Sequence, residues 1–226
     1  MTPILRPTQI RTLLQMQDAM NAKVNASWLL AGFPWLRAVV VEGTEAMEHY
    51  GWKWWKKQDA NIEQLRIELV DIFHFALSDV LVHFGGDYIA STNWLQQAML
   101  HPGTVINVGR AEHHLANYDV LAKLELMVGM ATERRFSFPL LASIMADVGM
   151  TWETMYTGYV AKNVLNTFRQ DNGYKDGTYR KDWNGAEDNV RLAEIVKTLD
   201  PSAESFPDLL YCELRTYYAT TLPDVY

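Results

Sequence analysis

The segment 61–84 constrains this chain more than any other. Leu65, Leu69, Ile72, Phe73, Ala76, Leu77, Val80 and Leu81 recur at helical spacing, and Gly85-Gly86 ends the run. Within it stand two acids, Glu68 and Asp71, interleaved with Leu69, Val70, Ile72, Phe73 and Phe75. Carboxylates embedded in so apolar a helix are not solvated decoration. The chain therefore needs helical partners that cover this segment and something that compensates its acids.

The remaining pattern is also helical. Amphipathic or breaker-free stretches run over 8–22, 35–50, 111–128, 140–148, 152–168, 188–199 and 207–219, and alternating strand patterns bounded by turn residues are absent. Residues 171–185, with Gly173, Gly177 and Gly185 among polar and aromatic residues, read as a long functional loop. The expectation is an all-α fold, a compact helical bundle forming one domain over 1–226. Hydrophobic residues make up 49% and charged ones 21%, enough to bury a sizeable core.

The formal net charge of -7 argues against a duplex-binding surface, so no nucleic-acid partner is expected. A single cysteine, Cys212, excludes an internal disulfide and fits a reducing compartment. The start, Met-Thr-Pro-Ile-Leu-Arg, has no apolar leader core, and no stretch approaches the roughly 18 apolar residues of a membrane span. A soluble, cytoplasmic protein is expected, with no membrane partner.

Glu42 and Glu45 form a second acidic pair, following Ala38-Val39-Val40-Val41. Acids three apart share a helix face, and two packed helices bring such pairs together. Four carboxylates so placed repel one another unless cations are present, and hard oxygen donors suit Mg²⁺ or Mn²⁺. Glu48 and Glu63, on more polar segments, read instead as surface ion-pair partners. A di-iron bundle would use Glu-x-x-His from two helices; no Glu here has His three residues later, and Asp71 with His74 is the nearest approach.

A substrate held through several cations is usually a polyphosphate, which also needs cationic protein groups. The stretch 159–189 supplies Lys162, Arg169, Lys175, Arg180 and Lys181, with Asn163, Asn166, Tyr174, Tyr179 and Asn189 between them. A smaller cluster is Trp52-Lys53-Trp54-Trp55-Lys56-Lys57. Neither contains a GxxxxGK[ST] loop, which excludes that kind of ATPase.

Taken together, Glu42-Gly-Thr-Glu45, Lys53-Trp-Trp-Lys56 and Glu68-Leu-Val-Asp71-Ile-Phe-His74-Phe resemble the dimeric all-α dUTPases, a family with dCTPase/dUTPase relatives. The later runs Lys162-Asn-Val-Leu-Asn166-Thr-Phe-Arg169-Gln-Asp-Asn-Gly-Tyr174-Lys175 and Gly177-Thr-Tyr-Arg-Lys181-Asp-Trp-Asn-Gly-Ala-Glu-Asp-Asn189 resemble the same family, in family order, so the likeness spans about 17–189. It implies a homodimer that hydrolyses dUTP to dUMP and pyrophosphate. It also implies Mg²⁺ held by Glu42, Glu45, Glu68 and Asp71, and Glu42 or Glu45 as the group that activates water.

Under the same resemblance Lys162, Asn166, Arg169, Tyr174, Lys175, Lys181 and Asn189 lie at or near the phosphates, Trp52 and Lys53 also contact substrate, and His74 lies near the sugar 3′-hydroxyl. Gln17 and Asn21, four apart on one helix face, resemble the residues that read the base; an amide can pair with a uracil edge. Asp18 beside them could accept from uracil N3–H or from a cytosine amino group. A pyrophosphohydrolase of dCTP or of a modified pyrimidine deoxynucleotide is thus one alternative, and a non-enzymatic helical binding protein is another. Gly43-Thr44 between the first acids is unusual in a helix, and the glycine is expected to loosen local packing.

Overall fold

The computed structural model describes residues 5–100, 104–201, 203 and 205–221, so residues 1–4, most of the start that lacks an apolar leader core, lie outside the described residues. Helices dominate it. The first, α1 (Pro7–Val24), opens on a proline and on Arg6, whose backbone N–H donates to Gln9 Oε1 at 3.0 Å. Its buried stripe is Ile10, Leu13, Leu14, Gln17 and Asn21, so the two amides continue an apolar row.

Helix α2 (Trp35–Tyr50) has the bounds read from sequence and stops at Gly51, whose φ of 88° favours glycine. Helix α3 (Ile62–His83) begins at Asn61, which accepts from Gln64 N–H. It is the most enclosed element: α2 covers one side, while α1 and α7 (Trp152–Asp171) cover the other. The reason is its composition, with apolar residues around most of its circumference.

Two expectations need correction. The segment 111–128 is not one helix. Residues Ala111–His114 form a strand, β2, paired antiparallel with β1 (Val105–Val108) across the turn at Gly109-Arg110, and the helix α5 begins only at Val120 (Val120–Thr132). The strands are four residues each with little alternation, which is why no strand pattern was legible; Gly109, at φ 62°, was the available signal. A further helix, α4 (Tyr88–Leu100), was not anticipated, because its buried face mixes Ser91 and Thr92 with Leu95 and Met99. Asp87 starts it by accepting from Ile89 and Ala90 N–H.

The other helices follow the sequence reading: α6 (Phe138–Asp147), α8 (Asp188–Val196) and α9 (Phe206–Ala219). Gly43 does the opposite of loosening. A Cβ there would sit 2.6 Å from Val128 Cγ2, so the glycine lets α2 and α5 pack closely.

The glycine-bearing loop is anchored rather than free. Trp183 is fully buried against Phe168, Tyr217 and Tyr218, and its indole N–H donates to Arg180 O at 2.9 Å. Tyr179 stacks on Tyr218 at 5.3 Å. These rings fasten the loop to α7 and α9 and so present its basic residues to one end of the bundle.

Candidate active site

Helices α2 and α3 bring three of the four acids together. Oxygens of Glu42, Glu68 and Asp71 all lie within 4.8 Å of one another. Burial, then the charges of Asp71 and Glu45, push the Glu42 carboxyl up to about 7. Burial, then Asp71 and Glu42, push Glu68 up to about 8. Glu45 is exposed and outside the trio, although half-buried Glu42 and buried Glu68 both feel its charge. The donor set is all oxygen and short of countercharge, which fits a hard divalent cation.

One cation of the protein already reaches the trio. Lys162 Nζ on α7 lies 2.7 Å from Asp71 Oδ2 and 3.2 Å from Asn189 Oδ1. Asn189 Oδ1 also lies 3.4 Å from Arg169 Nη2, and Arg169 Nη1 donates to Asn166 Oδ1 at 3.1 Å. The Arg169 fork clasps Asp188, fully buried, with bonds of 2.8 and 2.7 Å, and the Tyr179 hydroxyl adds a third at 2.7 Å. Burial alone would raise Asp188; the guanidinium and the phenol hold it below its ordinary value. Lys162, Asn166, Arg169 and Asn189 thus form one hydrogen-bonded row starting at the acids.

The amides of α1 lie against α7. Tyr159 OH donates to Gln17 Oε1 at 2.6 Å, Gln17 Nε2 to Asn21 Oδ1 at 3.0 Å, and Asn21 Nδ2 to Ser78 Oγ at 3.0 Å. These are buried groups, not solvated ones on a polar face. His74 stacks on Tyr159 with ring centroids 3.9 Å apart and places Nδ1 2.9 Å from Val70 O. Its Nε2 is buried with no partner among the described residues, and burial lowers its pKa to about 4. A neutral imidazole with one open nitrogen, beside two amides, is a place for a polar ligand group.

The family model for dUTPase matches residues 9–174, most of the chain. The chain belongs to the dUTPase family. It is accordingly a nucleoside triphosphate pyrophosphohydrolase of the dUTP/dCTP type. No curated protein matches it. Among the described residues no helix is long and apolar enough to cross a membrane.

The other candidate residues of this member of the dUTPase family lie around that frame. Tyr174, the last residue matched, holds its ring 5.8 Å from the Arg169 guanidinium, while Lys175, just beyond, donates to Val24 O at 3.1 Å. Lys181 is exposed, and its backbone carbonyl accepts from Asp188 N–H at 2.9 Å. Trp52 donates to Glu48 at 2.6 Å and Lys53 pairs with the same carboxylate. Those bonds, Lys53 first and then Trp52, hold exposed Glu48 below its ordinary value, as a surface ion pair should. Asp18 is spent on Trp28 Nε1 at 2.8 Å and on the Tyr88 hydroxyl.

Sequence reasoning missed Asp188, Tyr159, Ser78 and His49. Asp188 directly precedes Asn189 and a buried arginine needs a carboxylate, so that signal was present. His49 directly follows Glu48, which reads from sequence as a surface acid, so the spacing from Glu45 to His49 carried no signal of its own.

Proposed function

We propose that this member of the dUTPase family hydrolyses dUTP to dUMP and pyrophosphate, acting as a single domain over 1–226 and as a homodimer. The observation that carries the reading is the meeting of Glu42, Glu68 and Asp71 at one end of the Lys162–Asn189–Arg169 row. Acids that gather a divalent cation beside a row of cationic and amide donors suit a triphosphate.

Mg²⁺ or Mn²⁺ held by Glu42, Glu68 and Asp71, with Glu45 at the edge, would supply charge neutralisation and acidification of water. Glu45, exposed one turn along α2 from Glu42, accepts the proton of the attacking water. Water oxygen joins phosphorus as the bridging P–O bond breaks, and pyrophosphate leaves. Lys162, Arg169, Asn166 and Asn189 receive the charge that builds on the phosphate oxygens, with Tyr174, Lys175 and Lys181 beside them. Trp52 and Lys53 approach the substrate from the α2–α3 connection.

Base choice follows from the amide chain. Each of Gln17 and Asn21 has one N–H committed along the chain and one left for a ligand. Two spare donors suit the two carbonyls of uracil, whereas cytosine presents an amino donor. Asp18, the acceptor that would favour cytosine, is engaged by Trp28 and Tyr88. The test is pyrophosphate release from dUTP, dCTP, dTTP and UTP, each with Mg²⁺ and with chelator. Metal-dependent turnover with dUTP foremost supports the reading; dCTP foremost transfers it to the cytosine relative, and no turnover removes it.

A further inference from the structure

The metal reading just given rests on oxygen donors, yet one imidazole stands at their edge. His49 lies on α2 seven residues after Glu42 and four after Glu45, which places all three on one face. Its Nε2 is 3.3 Å from Glu68 Oε1. Its position is fixed by its own backbone, because His49 O accepts from Asn61 N–H at 2.7 Å and ties the end of α2 to the start of α3.

The contact between His49 and Glu68 is close without being a hydrogen bond, and the ring makes no other bond to a described residue. Donors about 2.1 Å from a common ion lie roughly 3.0–3.4 Å apart for angles between octahedral and tetrahedral. A partly exposed histidine and a buried glutamate at that separation are spaced as neighbours in one coordination shell. His49 lies outside the Glu42–Glu68–Asp71 trio and touches it through Glu68.

We propose that His49 supplies a nitrogen ligand to a divalent cation at the Glu68 edge of the cluster, so that this chain binds Mn²⁺ in preference to Mg²⁺. The chemical ground is donor softness. Imidazole adds little for Mg²⁺, which keeps oxygen and water, and adds substantially for first-row transition ions. The proposal rests on the carboxylates being a metal site, and its test separates the two claims.

The experiment is Mn²⁺ titration of the full chain, followed by pulsed EPR that reads ¹⁴N nuclei coupled to the bound ion. Wild-type protein should show directly coordinated nitrogen. His49→Ala should lose that signal and bind Mn²⁺ at least several-fold more weakly, with Mg²⁺ affinity changed less than twofold and the circular dichroism spectrum unaltered. Mn²⁺ bound without nitrogen coupling overturns the role of His49 and leaves the carboxylate site standing. Absence of Mn²⁺ binding overturns both.

Discussion

Lys162 reaches from α7 to within 2.7 Å of Asp71 Oδ2 on α3, and both side chains are largely shielded from water. This ammonium is the protein's own countercharge to the acidic trio, and it also bridges the acids to Asn189. Lys162→Met should therefore raise the repulsion among Glu42, Glu68 and Asp71. Breaking a buried pair costs on the order of 3 kcal/mol. The expected signature is a loss of melting temperature that is larger in chelator than in excess Mg²⁺, with turnover reduced at least a hundredfold. Equal losses with and without metal would mean that Lys162 does not share the site with the cation.

Asp188→Asn should unfasten the phosphate row from behind. Asp188 is wholly buried and binds the Arg169 fork twice, and Tyr179 once. Removing its charge leaves a buried guanidinium unpaired, which costs roughly 3–5 kcal/mol. Urea unfolding should show the loss, and kcat should fall even where the protein remains folded, because Arg169 is no longer aimed. Unchanged stability would refute the buried-pair reading.

The acidic trio also fixes a pH response. Glu42 and Glu68 are raised by burial, then by neighbouring charge, to about 7 and about 8 from an ordinary 4.5. The native state then holds protons that the unfolded chain has released, so metal-free stability falls as pH rises through these values. His74, lowered by burial to about 4, acts in the opposite sense but only below its ordinary 6.5. Between pH 6.5 and 8.5 the glutamates dominate. Melting temperature in chelator should drop across that window, Mg²⁺ should reduce the drop, and Mg²⁺ binding should release protons. Calorimetry in two buffers of different ionisation enthalpy measures the release; none at pH 6.5 would refute metal binding at these carboxylates.

Sequence carried much of this arrangement and lost the rest for identifiable reasons. Helix α2 was legible end to end because Gly51 closes a clear apolar period. The β1–β2 hairpin and α4 were lost because four-residue strands and a Ser/Thr-bearing helix face carry almost no hydrophobic period. The acids were legible as pairs, but helical spacing says only that Glu42 and Glu45 share a face. Which of them faces α3 depends on interhelical packing, and Glu42 does. Burial of Gln17 and Asn21 was hidden for a related reason: polar residues on an apolar stripe look like its edge until the partners Tyr159 and Ser78 are in place.

Tyr159→Phe tests that amide chain with little change of volume. The hydroxyl donates to Gln17 Oε1 at 2.6 Å, and Leu13 O lies near it as a second acceptor at 3.2 Å. Its removal should cost about 1 kcal/mol of stability. It should also free Gln17 to rotate, so the ratio of kcat/KM for dUTP over dCTP should narrow more than kcat itself falls. A ratio that stays fixed would separate the chain from base choice.

Gly43→Ala tests how closely the metal-bearing helix must pack. Alanine is better than glycine by about 1 kcal/mol in a helix interior, so propensity alone favours the substitution. Space opposes it, because the new methyl would meet Val128 Cγ2 at 2.6 Å. Overpacking of this kind typically costs about 1–3 kcal/mol, so net destabilisation is expected. The strain should push α2 away from α5 and displace Glu42, one residue along, lowering Mg²⁺ affinity. Val128→Ala added to Gly43→Ala should restore stability, because the two changes share one contact and are therefore non-additive. If the double variant is as unstable as the sum of the single ones, the close approach of α2 and α5 does not set the position of Glu42.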